Sequence, residues 1–284
     1  MNMGSGAVDT NYYAGTGWQA ELRLGFVAEE GRTLLRQRSA RGPLAVQRPF
    51  YPEGGLCHVY LLHPPGGVVG GDRLQVHINV EAGAQALITT PGATKFYRSN
   101  NKPALQQQTL TVAAGASLEW FPQESIIFDG AWITLDTRLN LSAGARYIGW
   151  EIVCLGRPAS KEVYGQGETI FRNQVWRDKQ ALLVERLRLP GGDPMLTANW
   201  GMQSQPVFAT MLATPVSTRQ VQHLRDHIAP PNPNTGITLL DDLLVCRYLG
   251  DDVEQARHYF RQIRDSLRPD IINKPAYHPR IWST

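Results

Sequence analysis

From Trp18 to about Thr197 the chain consists of short apolar runs rich in Val, Ile, Leu, Thr and aromatic residues, cut by Gly, Pro and Asn. Runs of that length and composition predict strands, so this region reads as all β. Two of them, Leu56–Leu62 and Leu74–Val80, flank His63-Pro-Pro-Gly-Gly-Val-Val-Gly-Gly-Asp72. Its prolines and glycines predict a tight change of direction, read most simply as a wide hairpin loop. A strand–turn–strand unit also recurs, over 74–93, 110–125 and 139–156. Its turn glycines are Gly83, Gly115 and Gly144, at separations of 32 and 29 residues. Such a period predicts stacked coils that bury their edges on one another, although the same turns suit ordinary antiparallel strands.

The pattern changes after about residue 200. Residues 191–216 read as transitional. Ser217 then predicts a helix cap, with Val221, Leu224 and Ile228 at helical spacing and the Pro230–Asn234 cluster as a stop. Leu239–Leu249 contains a strand, LLVCRYL. Asp251 and Glu254 loosely match a capping box and predict a second helix. Its apolar face is Val253, Ala256, Phe260, Ile263 and Leu267, with Arg257, Arg261 and Arg264 beside or opposite it and Pro269 as its end. The expected fold is mainly β. A β-helix-like or layered body (18–200) carries a C-terminal helix–strand–helix portion (201–284) packed on it, and residues 1–17 form a disordered tail.

Composition narrows the function classes. The chain has 284 residues, 42% hydrophobic and 19% charged, with a net charge of +3. That charge is too small to predict a polyanionic partner, so no nucleic acid is expected. Three widely spaced cysteines, each inside an apolar run, predict reduced buried thiols rather than a disulfide framework. Residues 1–17 lack the apolar core of a signal peptide, and no run approaches the roughly 20 apolar residues that span a bilayer. A soluble, cytoplasmic protein without a membrane partner is expected.

No phosphate-binding glycine pattern and no Gly-x-Ser-x-Gly elbow occurs. Cys57 and His58 are neighbours on a strand, which predicts one core thiol and one surface imidazole. Carboxylates embedded in apolar strands are harder to explain: Glu119, Glu151, Glu185 and, at the end of the glycine stretch, Asp72. A buried carboxylate must be paired, protonated or in contact with water. Local partners are available: Arg186 or Arg188 for Glu185, Arg73 for Asp72 and Arg157 for Glu151. Alternatively, the acids line a wet path that passes a divalent cation weakly. Arg48, Phe50 and Tyr51, and Lys95, Phe96, Tyr97 and Arg98, mix aromatics with cations as protein interfaces do. Trp282 near the C-terminus reads as a further docking aromatic. A β-helix enzyme acting on polysaccharide through two acids is a rival reading, and a pure adaptor is another.

Several long motifs resemble one known family, that of the urease accessory protein UreD (UreH in some species). They are Arg48-Pro-Phe-Tyr-Pro52, Leu62-His-Pro-Pro-Gly-Gly-Val-Val-Gly-Gly-Asp72, Thr90-Pro-Gly-Ala-Thr-Lys-Phe-Tyr-Arg98 and Leu118-Glu-Trp-Phe-Pro-Gln-Glu124. Cys154-Leu-Gly-Arg-Pro158, Leu183-Val-Glu-Arg186 and the terminal Pro-Arg-Ile-Trp join them. The resemblance implies a β-helix-like, non-enzymatic maturation factor that binds UreF, through it the GTPase UreG, and apo-urease. It also implies that nickel(II) passes transiently through an internal tunnel, with no tightly bound cofactor. Asp72, Thr94, Glu151 and Glu185 match polar residues that the family places along that route, and Glu119 joins them as a buried acid. The arginines of the C-terminal helix are expected on the UreF side.

Overall fold

The computed structural model describes residues 17–283. The disordered tail expected over 1–17 lies, but for Gly17, outside the described residues. The strands are β1 (Gln19–Glu29), β2 (Arg32–Arg41), β3 (Ala45–Val46), β4 (Cys57–Leu62), β5 (Arg73–Val80), β6 (Gln85–Thr89), β7 (Thr94–Phe96), β8 (Ala104–Val112) and β9 (Ser117–Phe121). They continue as β10 (Ser125–Ile127), β11 (Trp132–Leu141), β12 (Arg146–Leu155), β13 (Glu168–Arg177), β14 (Gln180–Pro190), β15 (Val207–Thr214), β16 (Gly236–Leu240) and β17 (Leu243–Gly250). The α-helices among the described residues are α1 (Thr218–His227) and α2 (Val253–Ile272).

The chain winds as a layered β-solenoid. One sheet runs β14-β13-β11-β8-β5-β1-β2, and a second runs β16-β17-β15-β12-β9-β6-β4-β3. Successive coils alternate between the sheets, so the central neighbours β5–β8, β8–β11, β6–β9 and β9–β12 are parallel. The register carries the sequence period. Arg73 pairs with Leu105 and Leu105 with Thr134, so the offsets are 32 and 29 residues, equal to those between the turn glycines. Those glycines take φ of +75°, +72° and +76°, a left-handed conformation that a side chain resists, and they stack one above another. Antiparallel hairpins close the ends: β2 on β1, β14 on β13, and β15 then β17 on β12.

Several local expectations change. The His63–Asp72 segment is an arch between the sheets, because β4 belongs to one sheet and β5 to the other. A Cβ at Gly70 would meet the carbonyl oxygen of Ser99 at 2.7 Å, so that close approach requires glycine. Strand β15 replaces part of the transitional stretch. The 239–249 run is split by a turn at Asp241-Asp242 into β16 and β17. Both strands extend the second sheet, so the C-terminal portion shares the body's sheet instead of merely resting on it.

Helix α1 begins as its sequence predicts, with a reciprocal capping box between Ser217 and Gln220. Helix α2 is capped by Asp252, not Asp251, through hydrogen bonds from the amides of Glu254 and Gln255. It also runs past Pro269 to Ile272. The lost backbone hydrogen bond is offset by burial of Ile271 and Ile272, and Asn273 then ends the helix in a left-handed conformation.

The inner faces of the two sheets form one apolar core, including Phe26, Val59, Ile78, Leu110, Leu118 and Val175. The outer face of the second sheet forms another with α1, α2 and the C-terminal tail. Charge is buried in that second layer. Glu119 of β9, 1% exposed, accepts from Arg264 Nη2 at 2.9 Å, Arg268 Nε at 3.0 Å and Arg268 Nη2 at 2.9 Å. Arg268 also donates to both oxygens of Glu53 at 2.7 Å, and Glu53 is 2.9 Å from His58 Nε2. His58 is therefore not the surface imidazole expected; it does face away from Cys57, but into the helix-covered layer, where it is fully buried.

Burial pushes the Glu53 carboxyl up, but hydrogen bonds from His58 and Arg268 outweigh it and hold the group at about 2. A depressed carboxyl stabilises the fold above the unfolded-state value and loses that contribution as pH falls towards about 2. Replacing Arg268 with Ala would leave Glu119 and Glu53 under-compensated. The expected cost is about 3–5 kcal/mol in urea unfolding, because an uncompensated buried charge remains.

Candidate functional site

One rank of inward-pointing residues interrupts the core between the sheets with polar groups. Strand pairing places Gln108, Thr137, Asn173 and Glu185 side by side across β8, β11, β13 and β14. On the facing sheet, pairing aligns Glu151, Thr210 and Arg247 across β12, β15 and β17. The two ranks join across the interface. Thr137 Oγ1 donates to Glu151 Oε1 at 2.5 Å, and Gln108 Nε2 to the same oxygen at 3.3 Å. Arg247 donates to Thr210 Oγ1 at 3.1 Å and forms an ion pair with Glu185. Gln108, Thr137, Asn173 and Thr210 are all buried.

Two acceptor oxygens in this seam, Asn173 Oδ1 and Glu185 Oε2, are buried without a donor. Such oxygens normally find a partner, and their negative potential suits water or a cation. The seam begins at a cavity of about 250 Å³ lined by His63, Thr94, Lys95, Gln106, Gln108 and Trp120. A smaller cavity of about 20 Å³ shares Thr94, Gln106, Gln108 and Pro122 with it and ends at Glu151. Burial pushes Glu151 up to about 7, with the charge of Asp136 adding to the rise and the Thr137 hydrogen bond opposing it. Burial also lowers His63 from its ordinary range, partly countered by Asp72.

The acids read from the sequence are thus distributed over different settings. Glu151 and Glu185 share the seam, and Thr94 lines both cavities at its start. Asp72 sits at the arch, where its oxygens accept from the amides of Trp18 at 2.8 Å and Val69 at 2.9 Å. Glu119 stands apart, on the opposite face of its sheet, held by Arg264 and Arg268. The sequence partners change as well: Glu185 pairs with Arg247, while Arg157 pairs with Glu162 and Arg188 with Glu168. Glu119 is buried, and Glu151 and Glu185 face the seam between the sheets, so these acids are not the groove-lining pair that the polysaccharide reading requires.

The aromatic–cation segments also divide. Arg48 and Lys95 are exposed, and Arg98 reaches Asp129 at 3.1 Å from the surface. Phe50 is half-buried against His58 and Tyr60, Tyr51 lies under Arg32, and Tyr97 meets Phe128 edge-on. Phe96 and Trp282 are both buried within this chain. Trp282 packs on Phe121 and Trp150 and donates to Thr89 Oγ1 at 3.1 Å. Among the arginines expected on the UreF side, Arg264 is fully buried, and Arg257 is mostly buried against Glu124.

Gln108, Thr137, Asn173 and Thr210 each occupy an inward register position that strand alternation marks, and none of them carries a charge. A helical His-x-x-x-His is present as His223-Leu-Arg-Asp-His227 on α1. Among the described residues, no group of three or more His, Cys, Asp or Glu side chains is gathered as a metal site.

Glu151 gives the seam a pH signature. Its raised carboxyl binds a proton in the folded chain that the unfolded chain has released, so it makes folding stability fall as pH rises from 4.5 to about 7. Glu151→Gln should flatten that slope and gain about 1–3 kcal/mol over the parent at pH 8, measured by urea unfolding across pH 5–8.

No helix among the described residues is long and apolar enough to cross a membrane. The family model described as UreD urease accessory protein matches residues 19–283. The urease accessory protein UreD of Alkalilimnicola ehrlichii is 46% identical over 270 residues, covering 94% of this chain and 92% of that protein. Those of Alcanivorax borkumensis and Klebsiella aerogenes are 45% and 44% identical, each covering 94% of this chain and respectively 93% and 97% of the relative. With nearly the full length aligned, the chain belongs to the UreD urease accessory protein family.

Proposed function

We propose that this chain is a non-enzymatic, cytoplasmic scaffold that binds UreF and, through it, the GTPase UreG, docks on apo-urease, and helps deliver nickel(II) into the urease active site. Nickel is cargo here, passed on and not retained. The observation that carries the reading is the inter-sheet seam, where carboxylates and donor-less buried oxygens cross an otherwise apolar core. A borderline cation accepts oxygen ligands more weakly than imidazole, and a file of weak ligands allows release where a tight cage would not. The cavity lined by His63 and Thr94 is the entrance in this reading, and Glu151 is the first carboxylate met. Asp72 acts at one remove, by holding the arch that frames the entrance. Glu119 is taken out of the route, since its charge is spent on two arginines.

One observation favours the simpler adaptor reading: Glu185 is already paired with Arg247. Activation of apo-urease at limiting nickel separates the two. Glu185→Ala and Glu151→Gln should each retain co-purification with UreF while lowering nickel loading several-fold. Full loading by both variants would leave a bridging subunit without metal contact.

A further inference from the structure

Helix α1 carries His223 and His227 one turn apart, a spacing that places both imidazoles on one face. The ring centroids are 4.2 Å apart and the planes differ by 30°, so the rings already lie alongside one another. Both residues are exposed. His227 Nδ1 lies 2.9 Å from the backbone oxygen of His223. A carbonyl only accepts, so this nitrogen carries the proton and Nε2 keeps its lone pair. Metal-binding histidines are commonly oriented in this way, by donation of the second ring nitrogen to a backbone carbonyl.

The platform beneath the pair is firmly held. Val221 and Leu224 are buried, the capping box fixes the first turn, and Arg225 donates to the oxygen of Ile237 at 2.7 Å. Asp226 accepts from Gln222 and Asp270 from Gln220, each at 2.8 Å. A pair of imidazole ligands suits nickel, copper or zinc and not magnesium or calcium. The remaining coordination positions would belong to water, which makes such a site exchangeable.

From this arrangement we infer that His223 and His227 form a surface bis-imidazole site for a borderline divalent transition metal. It lies in the helical layer, on the side of the second sheet away from the inter-sheet seam, so it stands independently of the delivery route proposed above.

The test uses the untagged full chain titrated with nickel chloride in a non-chelating buffer. Heat release and the imidazole NMR signals are both followed. The signals of His223 and His227 should broaden first, and magnesium at the same concentration should leave them unchanged. His223→Ala and His227→Ala should each weaken the first nickel equivalent at least ten-fold, and the double substitution should add little, because one lost ligand already breaks the chelate. Both positions are exposed, so unchanged circular dichroism will show that the variants fold. Nickel binding of parental strength in both single variants would overturn the assignment. So would initial broadening confined to His63 or to other residues lining the seam, a result that would leave the delivery route standing.

Discussion

Glu119 lies where water cannot solvate it, and the attachment of the C-terminal layer turns on how its charge is neutralised. Two guanidinium groups from one helix face converge on it, and the second of them also serves Glu53. Burial alone would drive Arg268 towards its neutral form, but the two carboxylates more than offset that and hold it charged, above its ordinary range. The arrangement is directional. Only one rotation and one axial position of α2 bring Arg264 and Arg268 to Glu119 together, so the cluster sets the helix register against the sheet, while the apolar residues around it supply attraction without direction. A buried ion network of this kind adds little net stability over apolar packing, and its value is specificity of placement.

The inter-sheet seam solves the opposite problem. Its carboxylates face a core that must remain closed, and the fold accommodates them by confining them to a single rank. Because strand neighbours keep one register through the coils, a polar residue at one inward position can be matched by polar residues at the same position of adjacent strands. Gln108, Thr137, Asn173 and Glu185 follow that rule, and the adjoining apolar rank of Leu110, Leu139, Val175 and Leu183 keeps the sheets together. The strain falls on ionisation: Glu151 is pushed towards its neutral form, and the salt bridge of Glu185 supplies the only full cation of the two ranks.

Much of this was legible in the chain. The glycine period maps directly onto strand register: Leu87, Glu119 and Ile148, each four residues after its turn glycine, are paired neighbours. The helix positions also followed from apolar spacing. Pairing across long distances was not legible, because proximity along the chain suggests partners that the fold does not use. Arg186 and Arg188 flank Glu185 but point to the other face of their strand, whereas Arg247 arrives from a hairpin 62 residues away. The buried arginines of α2 were hidden for a different reason. Phe260, Arg264 and Arg268 follow at four-residue steps on one stripe, yet a cation on an apolar stripe reads as an edge unless its acid is known. The arch failed as a hairpin because a turn-rich segment does not declare which sheet its second strand will join.

The three cysteines occupy two different depths of the molecule. Cys57 lies between the sheets, and Cys154 and Cys246 lie beneath the helices. Burial pushes Cys57 and Cys154 up to about 11, and Cys246 higher still, so at neutral pH almost none is present as the reactive thiolate. Alkylating reagents can therefore reach each sulfur only when its own layer opens. The rate of modification at Cys57 reports separation of the sheets, and the rates at Cys154 and Cys246 report lifting of the helical cover. The molecule carries its own pair of clocks for two distinct kinds of opening.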